Sequence, residues 1–127
     1  MNFTRLSGAL LAVALPFAFT GVASASPDTS LVLTLVDDNG GAESVFLTCD
    51  PPEGTHPNAS SACAQIRAAQ GDFSALRGEE PQMMCTMEYL PVTAIAEGTW
   101  LGSPIEWTHE FGNGCTLHTA TGAVFLF

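Results

Sequence analysis

The cleanest patterning in the chain lies near its C-terminal end, where Ile105, Trp107, His109 and Phe111 alternate with Glu106, Thr108 and Glu110. A period of two places the two sets on opposite faces of a strand, one apolar and one acidic. His109 falls on the apolar face, so the pattern expects a packed, hydrogen-bonded core histidine rather than a catalytic base. Upstream, residues 31–36 (Leu-Val-Leu-Thr-Leu-Val) are strand formers. Asp37-Asp38-Asn39-Gly40-Gly41 is a turn signal, and residues 44–49 read as the returning strand of an antiparallel hairpin. Asp50 to Pro57 holds three prolines and a glycine, which suit neither helix nor sheet, and His56 within it reads as a turn residue bonded to the backbone. Residues 60–70 predict a helix with N-cap serines, a stop at Gly71, and a narrow apolar face of Ala62, Cys63, Ile66 and Ala69. Asp72 to Leu76 fits one further helical turn, and Arg77 to Pro81 a polar connector.

Beyond Pro91, Val92 to Ala96 predicts a strand closed by Glu97-Gly98. Thr99 to Leu101 begins another, turned by Gly102-Ser103-Pro104. Gly112-Asn113-Gly114 breaks the alternating strand, and residues 122–127 predict a last strand running to the end of the sequence. Short links between successive strands imply a mainly antiparallel sheet with a helix on one face, an α+β domain.

Cysteine usage and the first residues place this domain. Arg5 precedes a mostly apolar run from Leu6 to Val22, broken by Pro16 and followed by Ala23-Ser24-Ala25. That order is a secretory signal peptide over residues 1–25, cut before Ser26, and the expected location is extracellular. A membrane anchor fits less well, because the run is interrupted and ends in a processing site. Residues 26–127 then form one small domain that buries a modest core and often needs covalent help. Its four cysteines, Cys49, Cys63, Cys85 and Cys115, argue for two disulfides in an oxidising compartment. Cys49, His56 and Cys63 are spaced unlike common structural zinc sites, so no metal or other cofactor is expected.

Arg67 and Arg77 remain against thirteen acidic residues after Arg5 leaves, a formal charge of −11 with no lysine. Such a surface repels nucleic acid and anionic membrane, and it favours solubility. Nothing points to catalysis: G-x-S-x-G, H-E-x-x-H and phosphate-loop motifs are missing, and the thiols are expected to be bridged. Glu79-Glu80 lie in a Gly/Pro-flanked connector, where solvation is the default.

One stretch remains unassigned: Met83-Met84-Cys85-Thr86-Met87-Glu88-Tyr89-Leu90-Pro91. The proline bars a helix or central strand, leaving two readings: an extended loop rich in apolar side chains, or an edge strand whose methionines pack as core filler. A segment that occupies a serine protease without being consumed must be extended, exposed and stiff. A cysteine two residues before Met87, with a proline shortly after it, would supply stiffness at such places.

With these residues in view, the chain closely resembles the Streptomyces subtilisin inhibitor family of secreted serine-protease inhibitors. The shared marks are Leu47-Thr48-Cys49, Gly54-Thr55-His56-Pro57, Ala62-Cys63-Ala64, Gly71-Asp72, Ala75-Leu76 and Arg77-Gly78-Glu79. They continue with Met84-Cys85-x-Met87-x-Tyr89-x-Pro91-Val92, Gly98-x-Trp100-x-Gly102, Phe111-x-Asn113-x-Cys115, Val124-Phe125 and Phe127. The resemblance runs from Leu31 to Phe127.

It implies a five-stranded antiparallel sheet with two helices on one side, a homodimer through the sheet, and disulfides Cys49–Cys63 and Cys85–Cys115. Those spacings correspond to about 3 and 3.5 kcal/mol in the chain-entropy model. It also implies that Met87-Glu88 is the bond presented to subtilisin-like enzymes, with chymotrypsin-like ones second. Met84 would fill a second apolar pocket, and Cys85, Thr86, Tyr89 and Leu90 would complete the contact strip. Three positions depart from the family's habit. Glu88 replaces an apolar residue, Leu90 stands where a family member has an acid, and Thr86 replaces a common proline. The competing expectations are a secreted, non-inhibitory binding module on the same scaffold and, third, a small hydrolase with a spatially assembled site.

Overall fold

The computed structural model describes Ala9, residues 11–18, Gly21, residues 28–78 and residues 84–127. Most of the expected signal peptide, part of the polar connector (Glu79 to Pro81) and Met83 lie outside the described residues. Four strands form the body of the sheet: β1 (Ser30–Val36), β2 (Ala42–Thr48), β4 (Val92–Trp100) and β5 (Ser103–Phe111). A two-residue strand, β3 (Glu53–Gly54), completes an antiparallel five-stranded sheet of order β3-β2-β1-β4-β5. Two helices, α1 (Ala59–Ala68) and α2 (Gly114–Thr121), cover one face, and a 3-10 turn spans Phe73–Ala75.

The alternation does what a period of two requires. Leu31, Leu33, Val45, Leu47, Ala94, Ala96 and Trp100 turn inward and are buried with Ala62, Cys63 and Ile66 of α1 and Leu117 of α2. Their neighbours in register turn outward: Val32 beside Phe46 and Glu97, Thr34 beside Ser44 and Ile95. Closing the β1–β2 hairpin, Asp37 Oδ1 accepts from the backbone N–H groups of Asn39 and Gly41 at 2.9 and 2.8 Å.

Several elements differ from the sequence expectation. The expected break at Glu97-Gly98 is absent, and β4 runs unbroken from Val92 to Trp100. Gly98 adopts φ +133°, and a Cβ there would collide with the Ser30 carbonyl oxygen, so glycine lets the strand stay paired to β1. Glu53-Gly54 adds an edge strand inside the segment expected to be irregular throughout. The N-cap of α1 is Asn58 rather than a serine, and its side chain makes no capping bond. His109 does lie on the inward face, but near the open edge of the sheet. It is exposed between the rings of Trp107 and Phe111, with centroids 6.0 and 4.6 Å away, and is not a core residue.

The largest difference is at the C-terminal end. Residues 122–127 form turns rather than a last strand, although Val124 and Phe125 are fully buried. Their polar backbone groups find side chains instead of a neighbouring strand. Gln65 Oε1 accepts from Ala123 N at 2.7 Å, His56 Nε2 donates to Val124 O at 2.8 Å, and Asn58 Nδ2 donates to Leu126 O at 3.2 Å. His56 is therefore a buried, backbone-bonded turn residue, as its setting among prolines suggested. Its Nδ1 accepts from Asn58 N at 2.9 Å, so the proton sits on Nε2.

The last strand of the sheet is β5, and the next element is α2, which a sequence of three threonines and a glycine hides. Local bonds explain the helix. Asn113 and Thr116 form a reciprocal capping box, Thr119 Oγ1 donates to Cys115 O, and Thr121 Oγ1 donates to Leu117 O.

Candidate functional site

Residues 84–91 lead into β4 without regular secondary structure of their own. Met84 and Met87 are each 99% exposed, and Tyr89 and Leu90 also stand in solvent. A thioether chain normally fills core gaps, so two methionines held wholly in water in a short loop are unspent contact area. Thr86 and Glu88 are exposed too, while Cys85 is half-buried.

Among the described residues, most of the bonds that hold this loop come from one short segment, Gly112 to Cys115, at the junction of β5 and α2. Cys85 is bonded to Cys115, in the first turn of α2, with Cα atoms 5.6 Å apart. Leu90 N donates to Gly112 O at 2.9 Å. Between these anchors, Asn113 Nδ2 donates to Thr86 O at 3.1 Å and to Glu88 O at 2.8 Å. Its Oδ1 meanwhile accepts from Thr116 N at 2.9 Å, which fixes the orientation of the amide. One buried side chain thus caps a helix and ties down the peptide carbonyls on either side of Met87. Tyr89 is turned toward β5, where its hydroxyl donates to Glu110 Oε1 at 3.4 Å.

The second disulfide, Cys49–Cys63, joins the end of β2 to α1 and lies in the core. Both pairings are those the resemblance implied. Met84, Thr86, Met87, Glu88, Tyr89 and Leu90 are exposed along one continuous stretch, with half-buried Cys85 anchored within it. Asn113 escaped the reading of the residues, which took Gly112-Asn113-Gly114 only as a strand breaker. The available signal was its place two residues before Cys115 in the quoted pattern, within reach of whatever Cys115 is bridged to. Glu110 gave no signal beyond belonging to the acidic face.

A family model described as subtilisin inhibitor-like matches residues 27–113. The chain belongs to the subtilisin inhibitor-like family. Among its relatives, a subtilase-type protease inhibitor of Streptomyces coelicolor is 38% identical over 133 residues, covering 100% of this chain and 92% of the relative. Subtilisin inhibitor-like protein 5 of Streptomyces fradiae is 49% identical over 84 residues, 65% of this chain and 78% of that protein. Among solved structures, Streptomyces caespitosus sermetstatin in complex with Bacillus licheniformis subtilisin matches with TM-score 0.62 and 28% identity. The match covers 77% of this chain and 97% of the other. Of the shared motifs, Met84 to Val92 and Phe111 to Cys115 are brought together by the fold as described.

Proposed function

We propose that this family member is a secreted inhibitor, not an enzyme, that presents the Met87-Glu88 bond to subtilisin-like serine proteases. The observation that carries the reading is the pair of bonds from Asn113 to the carbonyls of Thr86 and Glu88, beneath a fully exposed Met87. The solved relative in complex with subtilisin supports the choice of target class.

The geometry suits a bond that is offered but poorly consumed. An extended loop docks in a protease cleft as an added strand, and Met87 enters the primary pocket with Met84 three residues before it. Because the backbone is already fixed, little ordering entropy is lost on binding. If the enzyme cuts, Cys85 and Thr86 on the acyl side and Glu88 and Leu90 on the amine side remain fastened to the same segment, Gly112 to Cys115. The new amine of Glu88 stays beside the acyl-enzyme, and religation competes with hydrolysis. Met87 is long, unbranched and apolar, which fits a hydrophobic primary pocket and not the acidic pocket of trypsin.

Titration of Bacillus licheniformis subtilisin with residues 26–127 tests this directly. Activity falls in proportion to added protein until it is abolished. Rapid digestion, or no effect at excess, overturns the reading and favours the non-inhibitory module. Met87→Lys shifts preference toward trypsin, and prolonged incubation leaves a chain cut between Met87 and Glu88.

Two further parts of the reading concern the whole molecule. Residues 1–25 act as a signal peptide, so N-terminal sequencing of exported protein begins at Ser26. A homodimer through the sheet is supported by the outer face, which neither described helix covers and where Val32 and Ile95 are half-buried and Phe46 is 58% exposed. Sedimentation gives a dimer for the native chain and a monomer for Phe46→Glu.

A further inference from the structure

The side of the loop that follows Met87 carries carboxylates that join no ion pair among the described residues. Glu88 is exposed, and the bond from Asn113 to its carbonyl fixes where its side chain departs. One residue on, Tyr89 is drawn to Glu110, whose carboxylate stands on the outer, exposed face of β5. The register sets the acidic β1–β2 turn at this end too. Val36 pairs with Thr93 and Val92 with Phe111, so Asp37 and Asp38 leave the sheet on the same side as the loop.

The two described arginines are elsewhere. Arg67 is engaged with Asp50 at 2.8 Å, beside α1, in the one ion pair among the described residues. Arg77 donates to Leu76 O and lines a groove with Trp107 and His109 on the inward face, opposite Glu110. A carboxylate directly after the presented bond lies against the enzyme's leaving-group side once bound. There it is attracted by a basic wall and penalised by an acidic or dry one.

We propose that Glu88 and Glu110 determine target preference, matching serine proteases whose surface on the leaving-group side of the catalytic centre is basic. This rests on Met87-Glu88 being the presented bond.

Association rates with Bacillus licheniformis subtilisin, and with the same enzyme carrying lysine substitutions on its leaving-group-side surface, test the idea across ionic strengths. The protein variants are Glu88→Gln/Glu110→Gln and, as a control of equal charge, Asp28→Asn/Glu53→Gln, both at the far end of the sheet. Glutamine at 110 keeps an acceptor for Tyr89. Native protein should associate with the lysine-bearing enzyme about tenfold faster than the Glu88→Gln/Glu110→Gln variant does at low salt, the gap closing as salt rises. The control pair should leave that preference in place. Equal rates for the native chain and the Glu88→Gln/Glu110→Gln variant overturn the proposal. So does an equal loss from the control pair, because the effect would then be net charge alone. Failure to inhibit either enzyme overturns the assignment of the bond itself, a distinguishable result.

Discussion

Two proline-bearing segments of this domain are built from similar parts and put to opposite use. Residues 50–58, which include β3, and residues 84–91 each contain proline, each lie beside a disulfide, and each are bonded through backbone groups by a buried polar side chain. In the first, His56 is buried and points into the molecule, fastening the C-terminal residues across 68 positions of sequence. In the second, Asn113 is buried and points out of the scaffold into the loop, so the loop's own side chains are left free. Burial and stiffness are therefore separable here. A segment can be fixed from beneath through its carbonyls while its side chains remain in water, and such a segment retains its contact energy for a partner.

The two disulfides give the sharpest way to break this comparison. Cys85→Ser/Cys115→Ser should lower unfolding free energy by about 3.5 kcal/mol in the chain-entropy model and raise the inhibition constant at least about a hundredfold, as the loop becomes a substrate. Cys49→Ser/Cys63→Ser should lower stability by about 3 kcal/mol while inhibition per folded molecule is kept. Denaturant titration and inhibition assays on both variants decide it. Equal loss of inhibition would mean that the loop draws its stiffness from global stability.

The two polar side chains come next. His56→Ala should cost about 2–3 kcal/mol, since it leaves the Val124 carbonyl unbonded inside the core, with no change in cleavage at Met87. Asn113→Ala should cost about 1 kcal/mol through loss of the helix cap, yet accelerate cleavage of the loop by subtilisin. The contrast is read by pairing thermal denaturation with the time course of the cut product. Smaller still, Met84→Ala should weaken inhibition about tenfold by removing apolar surface that is buried only on binding. Its stability should stay within about 0.5 kcal/mol of the native value. Smallest is Tyr89→Phe, where loss of one long, exposed hydrogen bond to Glu110 should change either quantity by less than about 0.5 kcal/mol.

Where side-chain pattern alone decides an element, the sequence was a sufficient guide. The two faces of β5, the β1–β2 hairpin with its turn at Asp37 to Gly41, and the apolar face of α1 all follow from period and turn chemistry. The loop was legible only with the family resemblance, because by composition alone Met84 and Met87 also suit an edge strand packed as core filler. The sequence misled where an apolar run had no local cue to its partners. Val124-Phe125-Leu126-Phe127 reads as a strand, but the inward face of the sheet leaves it a buried place where Gln65, His56 and Asn58 satisfy its backbone. The helix α2 was hidden for the opposite reason, since threonines that disfavour a free helix are here bonded back to its carbonyls beside a disulfide.

By itself, then, the sequence determined an antiparallel sheet with an apolar inner face, four cysteines to be paired, and a run of methionines stopped by proline. Only the tertiary structure decided that Asn113 would hold the carbonyls of Thr86 and Glu88, 27 and 25 positions away. It alone set Glu110 beside Tyr89 and took the C-terminal residues out of the sheet. The physical reason is that pattern reports which side chains avoid water, a local property. Which polar group meets which depends on how the packed layers close over one another, and that closure is a property of the whole chain.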